Sequence, residues 1–271
     1  KYSNIAKSKV TQSFSALGGN LSLSSLSVKG GGLVIGYVVG QFLALIHLCY
    51  SAFKANLFKG NAISFSDLKQ NAYKYKRFPL ISGPGAILNA LALQLPILFI
   101  SKTFDLLSVG YFNFIYRIIG GPMSLISIAV SQVLIQKISV EGEDVYLLIK
   151  NLSIKLFIIS LPVILLIMFT GPELFSFVFG EQWGRAGELA KILIFSIAIR
   201  FVVSPLSMVL AMNKNLQLAL IWQLYSCVSV VLCIYFFADL PLENFLIFYV
   251  LQDVLSYILY YFLILYGAKR L

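Results

Sequence analysis

The chain has 271 residues, 59% of them apolar and only 12% charged, with a formal charge of +10 and a mean hydropathy of +0.88. Soluble domains run near 45–50% apolar and about 25% charged, so a soluble globular domain is excluded and an integral membrane protein is implied. The basic residues fall mostly between apolar runs, where loops facing an anionic leaflet would carry them, and this placement speaks against nucleic-acid binding.

In chain order, residues 1–9 are a basic entry and 10–28 a serine-rich, weakly apolar stretch, read as either a polar-lined spanning helix or a loop. Residues 31–53 form a clear span with Gly36 and Gly40 four apart, a spacing that lets membrane helices approach closely. A basic segment, 54–77, ends in the knot Lys74, Lys76, Arg77. Spans are then expected at 79–101, 109–136, 152–170, 189–212, 216–237 and 244–266, each near the 20 or so residues that cross a bilayer. Residues 137–150 read as a polar loop, and 171–188 as an interfacial turn rather than part of a crossing. The division that follows is 1–53 as the end of a truncated N-terminal lobe, 54–77 as a cytoplasmic basic linker, and 78–271 as a six-helix transmembrane lobe. Lys1 stands first and no signal peptide precedes the first apolar run, which reads as a fragment lacking its N-terminal part.

Lysine and arginine gather in alternate loops, above all in 54–77 and at the C-terminus (Lys269, Arg270), which places both on the cytoplasmic side. Cys49, Cys227 and Cys233 lie within apolar runs without CxxC spacing, and His47 is the single histidine. No metal site, disulfide framework or cofactor is expected from that inventory. The spans at 79–101 and 109–136 contain residues that a plain anchor would not choose: Gly83, Pro84, Gly85, Asn89, Gln94 and Pro96, then Arg117, Gly120, Gly121, Pro122 and Gln132. Proline removes one helical hydrogen bond and crowds the preceding turn, so Gly83-Pro84-Gly85 and Gly120-Gly121-Pro122 are expected to break or bend their helices, as hinges or as fixed kinks.

The run from Tyr73 to Ser101, with Phe78, Pro79, Asn89 and Pro96, resembles the oligosaccharide flippase (polysaccharide transporter) family of the multidrug/oligosaccharidyl-lipid/polysaccharide exporter superfamily. So does the next span, with Val109, Gly110, Tyr111, Arg117, Pro122 and Gln132, and the later piece Phe179, Gly180, Trp183, Ala186 and Gly187. The resemblance implies an all-α integral membrane protein, here with about seven to eight transmembrane helices, whose last six form one lobe of a two-lobe alternating-access transporter. It implies movement of a polyprenyl-diphosphate-linked oligosaccharide repeat unit, with membrane lipids and other polysaccharide-assembly proteins as partners and no nucleic acid.

Such a substrate carries phosphate charge that arginine recognises through a matched fork of N–H donors. Arg117 and Arg200 lie inside apolar runs, where a cation costs at least about 2.5 kcal/mol, so both are expected to line a cavity; snorkelling or pairing with a carboxylate is the structural alternative. Asn89, Gln94 and Gln132 are candidates to meet sugar hydroxyls or to bond across helices. Asp253 is a candidate coupling carboxylate, or a counter-ion to Arg200 or Arg117. Lys155 reads as a snorkelling lysine, and His47 as a helix-packing group or a pH-sensitive one. A single histidine and the lack of a GxxxxGK[ST] loop argue against an enzyme. The rival readings are a drug or cation exporter of the same superfamily and a membrane-embedded polymerase or glycosyltransferase.

Overall fold

The computed structural model describes residues 32–54, 64–140, 144–211 and 215–270, and the described residues are helical with no strand among them. They fall into two units divided between Asn71 and Ala72. The first contains helix α1 (Gly32–Lys54), which matches the span read at 31–53. The stretch 10–28 and the side chains of His47, Arg77 and Phe78 lie outside the described residues. Helix α2 (Phe65–Tyr75) runs across the division.

The second unit holds six helices long and apolar enough to cross a membrane. They are built from α3 (Arg77–Thr103), α4 (Leu106–Ile115), α5 (Gly121–Val140), α6 (Val145–Phe179), α7 (Gly184–Val203), α8 (Leu216–Phe237) and α9 (Leu242–Ala268). A five-residue π turn, Tyr116–Gly120, joins α4 to α5 within one span, and a 3₁₀ segment, Ser204–Ala211, extends α7. The fourth span is the centre of the lobe. Its most apolar stretch is 61% buried inside the protein, against 17–39% for the other five. Small residues make this possible, since Ala186, Gly187, Ala190 and Ser196 let α6, α9 and the second span close in around α7. Helix α8 packs on both α9 and α3, and Phe99 of α3 meets Phe245 of α9 with ring centroids 4.6 Å apart. Outward faces are apolar, as in Leu125, Ile158, Phe169 and Phe262, which suits hydrocarbon rather than water.

Two boundaries differ from the sequence reading, each for a local reason. Helix α6 starts at Val145 rather than near 152 because Asp144 caps it, accepting from the backbone N–H of Tyr146 at 3.0 Å and of Leu147 at 3.3 Å. The polar residues Lys150 and Asn151 thus ride on helix that extends beyond the apolar run. At its other end α6 continues through Gly171 and Pro172 to Phe179, so 171–188 is mostly helix and not an interfacial turn. Its glycines are contact points: a Cβ on Gly187 would sit 2.6 Å from the Pro172 Cα, and one on Gly171 would sit 2.8 Å from the Gly187 carbonyl oxygen. The turn itself is Gly180 with the 3₁₀ residues Glu181–Trp183, and Gly180 takes φ +101°, a conformation glycine tolerates without a Cβ penalty.

At Gly83-Pro84-Gly85, expected to break or bend its helix, α3 is not interrupted and runs continuously through Pro84 and Pro96. Gly85 is instead buried where a side chain would collide with Gln223 of α8. At Gly120-Gly121-Pro122 the helix changes form, passing from the π turn into α5.

The turn after α6 docks on the second span through aromatic rings. Phe114 stacks on Trp183 with centroids 3.9 Å apart and meets Phe179 edge-on at 4.9 Å. The Tyr111 hydroxyl donates to the Gln182 carbonyl at 3.2 Å. Two of the segments that carry the family resemblance therefore hold each other.

Gly187→Val forces a branched side chain into the Gly171–Pro172 backbone, and overpacking of this kind costs about 1–3 kcal/mol. Detergent-solubilised Gly187→Val is expected to melt several degrees below wild type. Gly110→Ala, whose added methyl meets open space, is expected to melt no lower than wild type. Equal melting of all three proteins would contradict the glycine seam as the anchor of α6 on α7.

Candidate functional site

A cleft of about 500 Å³ lies between the second span and the fourth. Tyr116, Gly120 and Gly121 border it from the π turn and the start of α5, Ser124, Ser127 and Ser131 from one face of α5, and Arg200, Ser204 and Pro205 from the end of α7 and its 3₁₀ extension. The three α5 serines recur at i, i+3 and i+7, the helical spacing that puts them on one stripe. Ser124 donates to the Gly121 carbonyl within its own helix, while the hydroxyls of Ser127 and Ser131 answer a need created by the opposite wall. Pro205 has no N–H, so the Phe201 carbonyl one turn earlier loses its helical partner. The Ser127 hydroxyl, itself buried, donates to that carbonyl at 3.4 Å. The Ser131 hydroxyl lies 2.9 Å from the Ser127 carbonyl and 3.3 Å from that of Pro205. Backbone freed inside a membrane must find such partners or water.

At one edge of the cleft sits a buried ion pair. Arg200 Nε donates to Asp253 Oδ2 and Nη2 to Oδ1, both at 2.8 Å, so the fork meets the carboxylate with two parallel bonds. Nη2 also donates to the Tyr249 hydroxyl at 2.9 Å. Asp253 Oδ2 further accepts from the Ser196 hydroxyl. Because Ser196 spends its one proton there, the Tyr116 hydroxyl, 3.2 Å from Ser196 Oγ, is the donor in that contact. The guanidinium carbon lies 5.8 Å from the Tyr116 ring centroid and 5.5 Å from that of Tyr257, which adds two aromatic walls. Side-chain exposure is 17% for Arg200 and 3% for Asp253. The three bonds use three of the five guanidinium N–H groups, and the two on Nη1 are what Arg200 has left to offer a ligand in the cleft. The pairing nearly cancels the two charges, so the cleft is a neutral, hydroxyl-rich space with one residual fork edge.

The sequence candidates are distributed unevenly about this site. Arg200 lines the cleft, and Asp253 stands behind it as its counter-ion. Arg117 is exposed on the π turn with Asn113 exposed one turn before it, and it does not border the cleft. Gln132 and Gln94 are exposed and Asn89 is half-buried, each away from the cleft lining. Tyr116, Ser196, Tyr249 and Tyr257 were not anticipated. Their signal was available, since Ser196 and Arg200 on α7, and Tyr249, Asp253 and Tyr257 on α9, recur every four residues and form polar stripes in otherwise apolar spans.

Residues 1–188 match the family described as polysaccharide biosynthesis protein. The matched stretch covers the π turn and the serine face and stops short of Arg200 and Asp253. No curated protein and no solved structure matches the chain.

Removing one partner of a buried ion pair costs about 3–5 kcal/mol, whereas replacing both by apolar groups of similar volume is often neutral. Asp253→Ala is expected to lower the unfolding free energy in detergent by roughly that amount. The double variant Arg200→Met with Asp253→Leu is expected to recover most of the loss. Additive losses would show that the two side chains are not energetically coupled.

Proposed function

Because the chain belongs to the polysaccharide biosynthesis protein family, we propose that it moves a polyprenyl-diphosphate-linked oligosaccharide repeat unit across a bacterial cytoplasmic membrane for surface polysaccharide assembly. The described six-span unit is one lobe of a two-lobe, alternating-access transporter with a cytoplasmic C-terminus, and the protein acts as a flippase, not an enzyme. The observation that carries this reading is the intramembrane cleft with Arg200 at its edge and a serine stripe along its wall. Sugars present many hydroxyls, which both donate and accept, and serine and tyrosine hydroxyls answer them in kind. A charge-neutral cleft suits the glycan part of the substrate. Arg117, exposed in the outer part of its span, has its full fork for the diphosphate. An arginine at that position is too costly against hydrocarbon, so its surroundings in the working transporter are polar.

Asp253 bears on the rival exporter reading. A carboxylate that takes two guanidinium bonds and a hydroxyl is occupied, whereas a cation site needs one free to accept. The junction at Gly120-Gly121-Pro122 beside the π turn is the hinge this proposal uses, since π turns recur at functional sites in helices. Within Gly83-Pro84-Gly85, Gly85 serves as a packing contact with Gln223 of α8.

Arg117→Ala and Ser124→Ala alter exposed side chains and leave the packed core intact. In cells that depend on the full-length protein for glycan export, each is expected to insert normally and to cut surface glycan by roughly tenfold or more, as loss of a bond worth about 1.5 kcal/mol predicts. Wild-type glycan from both variants would contradict the transport path drawn here.

A further inference from the structure

Among the described residues that line the serine cleft, Arg200 alone carries a formal charge, and Asp253 has taken it up. A guanidinium can offer a carboxylate two forks, one along Nε and Nη2 and one across the two Nη atoms. Asp253 occupies the first with two bonds of 2.8 Å. The second is half taken, because Nη2 also donates to the Tyr249 hydroxyl at 2.9 Å. Nη1 alone remains. It suits a hydroxyl or a ring oxygen and denies an incoming carboxylate its two-bond geometry.

The serine wall selects in the same direction. Ser124 spends its one proton on the Gly121 carbonyl at 2.7 Å and Ser127 on that of Phe201 at 3.4 Å. Ser131 spends its own on the carbonyls of Ser127 and Pro205. What these hydroxyls have left for a ligand is lone pairs. A sugar hydroxyl can donate to them, whereas an ionised carboxylate only accepts. Asp253 is 3% exposed, so salt screens its charge little. An acidic sugar in the cleft would lose its hydration and meet a guanidinium already neutralised by another carboxylate.

We propose that Asp253 sets the charge selectivity of the cleft: by masking Arg200 it makes the cleft a site for uncharged sugars and closes it to uronic and other acidic ones. The inference rests on the glycan reading above and leaves the diphosphate charge to Arg117. Asp253 acts through Arg200 and does not touch the glycan, so it is a positioning residue.

The test is saturation-transfer NMR on full-length protein in phosphatidylcholine nanodiscs, titrated near neutral pH with maltotriose or with trigalacturonate. Cleft binding is the part abolished by Ser124→Trp, whose indole fills the space. Wild type is expected to bind maltotriose about tenfold or more tightly, the worth of one charge-assisted bond, although a chain charge of +10 favours the acid. Asp253→Asn keeps the side-chain size and unmasks Arg200, and it is expected to move the ratio of the two affinities about tenfold towards the acid. A ratio reports selectivity, which a general loss of stability does not invert. Ser124→Lys adds a cation at an exposed wall position with the ion pair intact. It is expected to move the ratio the same way, which keeps the test decisive where Asp253→Asn folds poorly. Equal or tighter cleft binding of trigalacturonate by wild type, or an unmoved ratio in the folded variants, would overturn this inference and leave the glycan reading standing. Cleft binding of neither sugar would overturn both.

Discussion

The bidentate pairing of Arg200 with Asp253 fixes how the lobe is assembled around its polar interior. A guanidinium and a carboxylate within membrane spans are each expensive alone, and they become tolerable by facing each other through two parallel bonds, with the Tyr249 and Ser196 hydroxyls bonded to the pair. The pair joins α7, the most buried helix, to α9, and the Ser196–Tyr116 contact extends the network to the second span. Three helices are thus held in register by one polar cluster. Its worth lies in geometry more than in net stability, since buried ion pairs often contribute little beyond an apolar substitute.

Around this cluster the two walls of the cleft are both irregular. The second span passes through a π turn at Tyr116–Gly120, and the fourth ends in the 3₁₀ segment Ser204–Ala211, which contains Pro205. Irregular backbone is sustainable in a membrane only where it is covered by protein or borders a polar space. The serine stripe on α5 does part of that work by bonding the carbonyls of Phe201 and Pro205. The same hydroxyls that stabilise the break line the cavity, so local repair and ligand recognition are carried out by one set of side chains. Replacing them by alanine removes both.

Much of the fold was legible in the sequence because hydropathy over 20-residue windows is a strong signal. The span read at 216–237 is Leu216–Phe237 in the structure, and six spans follow the basic segment as expected. The misreading of 171–188 arose from glycines and acids that look like a loop. Gly171 and Gly187 are there because two helices touch, and close helix contact and turn chemistry ask for the same residue. Arg200 and Asp253 stood out because charges inside apolar runs are rare, but which arginine would meet Asp253 depends on which helices are neighbours. Arg117 lay beyond sequence logic for a further reason: it sits within the π turn itself, where the face a side chain occupies cannot be counted off at 100° per residue. Membership of the polysaccharide biosynthesis family agrees with the resemblance carried by the spans up to Gly187.

The central claim is that the serine cleft is wet within the membrane. Its direct test is thiol accessibility in the full-length protein, with the native cysteines replaced and a single cysteine introduced by Ser124→Cys or Leu125→Cys. These neighbours differ in surroundings: Ser124 borders the cleft, while Leu125 is a 70% exposed apolar residue on the outer face. A water-soluble maleimide is expected to label the Ser124→Cys protein readily in membranes and to leave the Leu125→Cys protein largely unlabelled. Equal protection of both would mean the cleft is dry, and the transport account would fail with it.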